Sequence, residues 1–340
     1  MKYNIITITL CQYVIVPSFR SKLSSMENLI NYKPVSERTF DTQYQDLLKD
    51  ILENGKSKVT IHSKLAENKS SGNQYCLELS GKMLTYDLSN GVPILPIRDL
   101  GKSYKGAIGE VVAFINGART LEDLEKFGCP KIFWERWVTK EKCEVWGLPE
   151  HDLGGGSYGA ALSAMPMPDG KTFNQVEALI KQMQKMPFLR THLITTWYPP
   201  FALGDKDQGS PRKVVVAPCH GNVLQFNVFG DEMHMIHYQR SADAPVGLVL
   251  NLAEWVAFGM MVAYMTKLKF TQYTHYLPNP QIYDIQIDSV KELLSREPRK
   301  LPSLYLRPQR EINSIFDFRK EDFVLEDYEP HEKIIIPTPV

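Results

Sequence analysis

Five cysteines are spread over 340 residues, and one of them, Cys219, stands where a thiol can do chemistry. It lies in Val216-Ala217-Pro218-Cys219-His220, just past an apolar stretch, residues 214–217, that reads as a strand running into a site. A thiolate placed there is a nucleophile once a neighbouring base or charge keeps it ionised. His220 is poorly placed as that base, because adjacent side chains on a strand diverge. Downstream, Tyr238-Gln239-Arg240-Ser241-Ala242-Asp243 gathers an amide, a guanidinium, a hydroxyl and a carboxylate at the end of another strand. Arg240 and Ser241 suit a phosphate, and the guanidinium favours the thiolate. A lone cysteine is more often inert packing, and a polar strand end is often only a solvated one. Cys219 and Arg240 together point instead to an activated nucleophile beside an anion site.

Other patterns carry less. Gly154, Gly156 and Gly159 satisfy the dinucleotide fingerprint, but no clear strand precedes them and no acidic residue follows at the right distance. His234 and His237 fall on opposite faces of an alternating strand, and nothing completes a zinc set with them, so no metal is expected. Lys and Arg number 39 and Asp and Glu number 39, so no net field recruits nucleic acid. The cysteines are odd in number and form no CxxC pair, which fits a reducing, cytoplasmic setting. The apolar start, residues 5–16, is interrupted by Gln12 and Tyr13 and lacks a small-residue cleavage site, so a secretory leader is not favoured. Residues 1–40 read as an N-terminal extension of uncertain status and 41–340 as a single catalytic domain. No run reads as a membrane span.

The elements that must hold these groups follow from periodicity. Helical spacing marks residues 42–52, 107–116, 173–186, 288–295 and a long apolar helix, 250–267, buried nearly all round. Residues 56–73 read as a mobile polar loop, 75–88 as a hairpin broken at Ser80-Gly81, and Gly154-Gly155-Gly156 as a flexible stretch. Residues 193–197, 214–217, 223–229 and 232–238 read as strands. Helices and strands alternate without a strict βαβ rhythm, which predicts an α+β fold: one domain with a mixed, twisted sheet covered by helices.

The ordered motifs then resemble one family. Pro218-Cys219-His220, Gln225-Phe226, Gln239-Arg240-Ser241-x-Asp243, Gly247 and Asn251 keep the order and spacing of thymidylate synthases. Upstream, residues 92–95, 110–117, Trp134-Glu135-Arg136-Trp137 and Asp152-Leu153-Gly154-x-x-x-Tyr158-Gly159 look like further segments of that family. Downstream, Arg296-Glu297-Pro298-Arg299, Phe316-Asp317-Phe318, Glu321-Asp322-Phe323 and Tyr328-x-Pro330-His331 extend the similarity towards Val340.

The resemblance implies a thymidylate synthase-like fold and a homodimer that shares arginines across its interface. It implies one-carbon transfer to C5 of a pyrimidine nucleotide, with 5,10-methylenetetrahydrofolate as co-substrate and no metal. Cys219 would add to C6 of the base, Glu110 would organise proton movements, and Tyr158, His220 and Arg240 would assist. Arg190, Gln239, Arg240, Ser241, Asn251, Glu254, Gln281 and Tyr283 would bind the nucleotide. Trp134, Asp243, Gly247 and Val340 would meet the folate. Several positions depart from the family pattern: Thr191 stands where a second arginine is usual, Glu254 where a serine is, and Gln281 where a histidine meets the sugar. Ala113 is a further departure, and Lys64 or Lys69 would replace a missing loop arginine. The leading expectation is methylation of dUMP to dTMP. The alternatives are hydroxymethylation of dCMP, dUMP or CMP, and an inactive nucleotide- or RNA-binding relative.

Overall fold

The computed structural model describes residues 29–59, 75–204, 209 and 212–338. Strand order follows the chain: β1 Lys56–Val59, β2 Tyr75–Glu78, β3 Lys82–Asp87, β4 Met165–Pro166, β5 Thr172–Phe173, β6 Leu193–Ile194 and β7 Val223–Phe229. Then come β8 Glu232–Tyr238, β9 Ala242–Asp243, β10 Lys269–Leu277, β11 Pro280–Tyr283, β12 Ser303–Leu306 and β13 Phe323–Glu326. Five of them make a mixed sheet in the order β3-β10-β8-β7-β6, in which β10 and β8 run parallel and the other neighbours antiparallel. A second mixed sheet, β1-β2-β11-β9, stands beside it, and β4–β5 and β12–β13 form small ladders. This is the expected single α+β domain.

Alternation decides which face of the large sheet is buried. On β8, Met233, Met235 and His237 turn inward while Glu232 and Tyr238 face out. The inner face is covered by the helix Gly247–Thr266, whose side chains from Leu248 to Ala263 are buried with the exception of Leu250. That helix is 20 residues long and apolar enough to cross a bilayer, contrary to the expectation that no run would be, but 83% of the stretch is buried inside the protein. It is a core helix by packing. The helix Ser103–Ile115 packs against it and buries every residue from Gly106 to Ile115, Glu110 included.

One irregularity interrupts the large sheet. Between Phe270 and Gln272 the β10–β8 register shifts, so Phe270 and Tyr273, three positions apart, both face the core. Gly259 of the core helix lies against this point: a Cβ there would stand 2.4 Å from the Phe270 ring.

Several sequence expectations need correction. Lys56–Val59 is not loop but a strand paired with β2, while residues 60–74, with Lys64 and Lys69, lie outside the described residues. β2 and β3 do not form a hairpin: β2 joins the second sheet through β1 and β11, and β3 pairs with β10, so the Ser80-Gly81 turn passes the chain between sheets. Residues 214–217 are an extended loop, because their backbone bonds go to another loop, Val215 N–H donating to Leu153 O at 3.1 Å, rather than to a ladder. The triple glycine is packed rather than loose. Gly154 has φ +100°, and a Cβ on it would lie 2.2 Å from Lys213 O. Within residues 29–40, most of them exposed, some side chains reach the domain: Ile30 is buried, Tyr32 Oη donates to Leu304 O at 2.8 Å, and buried Arg38 donates to Leu301 O at 2.9 Å.

Replacing Gly259 by alanine forces the Phe270 ring aside. Overpacking of this kind costs about 1–3 kcal/mol, so Gly259→Ala should lower the thermal midpoint; an unchanged midpoint in calorimetry would show that helix and sheet have slack there.

Candidate active site

Cys219 sits half-buried at the end of the 214–219 loop, and its position is fixed by its neighbours' carbonyls. Arg240 Nε and Nη2 donate to Pro218 O and Ala217 O, each at 2.8 Å, and its guanidinium lies 5.5 Å from the Trp197 ring centre. Asn222 ties the same loop to the end of β8, donating to Pro218 O at 2.8 Å and accepting from Arg240 N–H at 2.9 Å. Arg240 is thus first a brace of the nucleophile's loop.

Tyr158 supplies the direct contact. Its hydroxyl accepts from Cys219 N–H at 2.8 Å and lies 3.4 Å from Cys219 Sγ. With the backbone donor already used, the phenol proton is free to point at sulfur and stabilise a thiolate. Burial pushes the Cys219 thiol up, while the Tyr158 hydroxyl and the Arg240 charge pull it down; the net direction is up. Arg240 does favour the thiolate, as expected, but desolvation outweighs it. Tyr158 is held between two rings, stacked on Phe114 at 4.6 Å and on His220 at 4.5 Å.

Behind them two carboxyls on facing helices meet out of water. Glu110 accepts from the Trp134 indole N–H. Burial raises Glu110 to about 7 against that hydrogen bond. Glu254, fully buried on the core helix, accepts from Asn251 Nδ2 at 3.2 Å and keeps its other oxygen, Oε1, without a partner. Burial and then the Glu110 charge push Glu254 well above the carboxylate range. His220 Nδ1 lies 3.4 Å from Glu254 Oε2, and one ligand atom from each of Glu110, His220 and Glu254 falls within 4.8 Å of the others. The His220 lone pair is already taken, since Trp255 Nε1–H donates to Nδ1 at 3.0 Å. Burial, then Arg240, lowers His220 to about 3, so the ring is neutral and cannot act as a counter-charge. With His220 Nδ1 so occupied, the two carboxyls are left to keep a proton between them.

The remaining predicted residues fall into two groups. Ser241 Oγ lies 3.2 Å from the Gln281 amide, which in turn reaches the Tyr283 hydroxyl at 3.4 Å; Gln239 Nε2 donates to Asn251 Oδ1 at 2.9 Å. These polar groups share the Cys219 neighbourhood through Ser241 N–H and Cys219 O, 3.5 Å apart. Asp243 accepts from Gln286 Nε2 at 3.1 and 3.2 Å, and burial raises it to about 6. Gln286 also donates to Pro337 O at 3.0 Å, so the chain's end passes over Asp243. Gly247 opens the core helix 3.7 Å from Asp243 Cβ, measured from where its own Cβ would be. Arg190 is exposed on the loop after the helix Gln175–Lys185, apart from this network, and Val340 lies outside the described residues. Near Asp243, Arg98 donates to Pro245 O at 2.7 Å and buries a second nitrogen, Nη1, without a partner. An acid and an unpaired buried donor near each other suit a flat heterocycle with its own amide edge, such as a pterin.

A cysteine thiol, a desolvated pair of acids and a strip of polar side chains are the kinds of group that covalent chemistry on a nucleotide base requires. The comparison with protein families agrees: a family model described as thymidylate synthase matches residues 42–340. The chain belongs to the thymidylate synthase family and is a one-carbon transferase, of the kind that methylates or hydroxymethylates pyrimidine nucleotides at C5 with methylenetetrahydrofolate as co-substrate.

Sequence reading missed Trp255, Asn222, Arg98 and Gln286. Each acts by touching a residue remote in sequence, so no local pattern marks it. Inward His237 was legible as strand parity on β8, whereas β10, with Tyr273 and His275, was missed as a strand.

Glu110 gives a pH prediction. Its folded value, about 7, stands above the ordinary 4.5, so the neutral form is favoured by folding: that stability is complete below pH 4.5 and is lost as pH rises through about 7. Glu110→Gln cannot ionise. Urea denaturation should show the variant gaining on the wild type as pH rises between these values; a difference independent of pH would mean that Glu110 is solvated.

Proposed function

We propose that the chain methylates dUMP to dTMP. Cys219 Sγ adds to C6 of the uracil, which makes C5 nucleophilic. Tyr158 holds the sulfur's charge and lies ready to move the C5 proton, and Glu110 handles the proton at O4. Ser241, Gln281 and Tyr283 take the sugar and phosphate, with Arg240 beside them and Arg190 lent by a second subunit. The folate supplies both the carbon and the hydride.

The observation that carries methyl over hydroxymethyl is the wall at Trp134. Its indole is pinned to Glu110, packs edge-on to Tyr158 at 5.9 Å and to Phe114 at 6.2 Å, and is 7% exposed. A closed apolar wall over the new carbon keeps water out and leaves hydride as the reductant. One observation favours the second reading, capture by water to give a 5-hydroxymethyl nucleotide: Glu254 Oε1 is a buried acceptor with no partner, a seat for a water beside the acid pair.

The homodimer has support in the outer face of the large sheet. There Met83, Tyr276, Tyr238 and Val223 line up across four strands, and Met83 is 62% exposed. An apolar row of this kind suits a partner surface. Unpaired Cys76, Cys129, Cys143 and Cys219 among the described residues suit a reducing, cytoplasmic location.

Mass spectrometry of products from methylenetetrahydrofolate with dUMP, dCMP, UMP or CMP tests the reading. Methylated dUMP with dihydrofolate is expected; a hydroxymethyl nucleotide with tetrahydrofolate would establish the second reading. Cys219 should form a covalent adduct with 5-fluoro-dUMP and the folate, visible by intact mass and absent from Cys219→Ser. No product from any nucleotide, together with undiminished biological effect of Cys219→Ser, would leave a binding protein.

A further inference from the structure

The proposed chemistry leaves one buried feature unused, a polar row on the inner face of the large sheet. β8 points His237 inward, and the chain continues to Gln239 with the same parity; β10 points Tyr273 and His275 inward beside them. None of the four is more than 1% exposed. Their contacts form an unbroken line. Gly221 N–H donates to His237 Nε2 at 2.7 Å, and His237 Nδ1 lies 2.9 Å from Tyr273 Oη. Tyr273 Oη lies 3.3 Å from His275 Nδ1, and His275 Nε2 lies 2.9 Å from Gln239 Oε1. Gln239 Nε2 donates to Asn251 Oδ1 at 2.9 Å, and Asn251 Nδ2 to Glu254 Oε2 at 3.2 Å.

The first link fixes the direction of all the others. A backbone N–H only donates, so His237 Nε2 accepts, and the neutral ring carries its proton on Nδ1. That proton goes to Tyr273, whose own proton turns to His275 Nδ1. His275 is then protonated on Nε2 and donates to Gln239 Oε1. The amino end of Gln239 faces Asn251, and Asn251 must turn its carbonyl to Gln239 and its amino end to Glu254. Gln239 Nε2 also donates to Ser241 O at 3.1 Å, which holds the same orientation. Burial keeps both rings neutral, lowering His275 to about 3 and His237 well below its ordinary value. Gly221 is required at the start of the line: it has φ +58°, and a Cβ there would stand 2.3 Å from the Trp255 ring.

We infer that this directed line of hydrogen bonds, anchored on Gly221 N–H, is a positioning device that fixes the Asn251 amide and thereby selects a 4-oxo pyrimidine, uracil, over cytosine. The inference rests on the proposed uracil nucleotide as substrate, with Asn251, expected among the nucleotide-binding residues, meeting its base. With C6 at Cys219 and the sugar towards Ser241 and Gln281, position 4 of the ring falls on the side of Glu110 and Glu254. Asn251 then offers its remaining N–H to position 4 and its remaining lone pair to position 3. Uracil, with O4 and N3–H, matches both; cytosine, with an amino group at position 4 and a bare N3, opposes both. A mismatch of this kind buries unpaired polar groups and discriminates strongly. His237, Tyr273 and His275 touch no substrate and act only through Gln239 and Asn251.

Tyr273→Phe keeps the ring and removes the central hydroxyl, so the tautomer of His275 is no longer set and the Gln239 amide, and through it Asn251, is held only by Ser241 O. By calorimetric titration, the ratio of dUMP to dCMP affinity should fall by about tenfold or more. His275→Leu cuts a different link and should lower the same ratio. A Tyr273→Phe protein that binds dUMP with its preference intact would overturn the device. Nitrogen NMR of the wild-type imidazoles without nucleotide reads the line directly: His237 protonated on Nδ1, His275 on Nε2, both uncharged at neutral pH. The opposite tautomer in either ring, or a charged ring, would also overturn it. If these tautomers are found but dCMP binds better than dUMP, or neither nucleotide binds, the selective role fails through the reading of the base site and the directed line itself stands.

Discussion

Taking Glu110 and Glu254 out of water on two facing helices constrains every group around them. An isolated buried carboxylate is costly, so each needs donors or must hold its proton. Trp134 gives one donor to Glu110 and Asn251 one to Glu254, and His220 beside them stays uncharged, its Nδ1 accepting from Trp255. The pair therefore carries fewer charges than carboxyls. Cys219 is desolvated in its turn, and this burial, with the Glu110 charge a smaller cause, is why its thiol rises despite Arg240 and why Tyr158 Oη beside the sulfur matters.

The core helix makes this arrangement possible. Asn251, Glu254 and Trp255 lie at positions i, i+3 and i+4, one face of an otherwise apolar helix. That face meets His220 and Glu110 at one level and His237 at the next, since the Trp255 ring packs 5.2 Å from His237 and 5.8 Å from His220. Hydrophobic burial along the rest of the helix stabilises the fold enough to carry a polar cluster in its centre.

Much of this was legible in residue order. The apolar run at 250–267, the alternation of β8 and the strand-end placement of Arg240 and Ser241 follow from period and turn chemistry, and the fold class from their succession. Other parts were hidden for a physical reason. β2 and β3 look like a hairpin because pairing partners are not encoded locally; only the alternative partners β10 and β11, distant in sequence, separate them. Residues 214–217 have strand composition but spend their backbone donors on a loop. At the site, Cys219 and Arg240 announced themselves by type, whereas Glu254 looked like a departure in a binding position, and its pairing with Glu110 emerges only when two helices are brought face to face.

The register shift near Thr271 divides β10 into two lengths with separate duties. Before it, Phe270 belongs to the apolar floor beneath Gly259; after it, Tyr273 and His275 belong to the polar row. Thr271 itself buries a hydroxyl without a partner, a local cost accepted at the joint. Because the bulge resets which residues face inward, the two lengths of this strand can change composition independently over evolution.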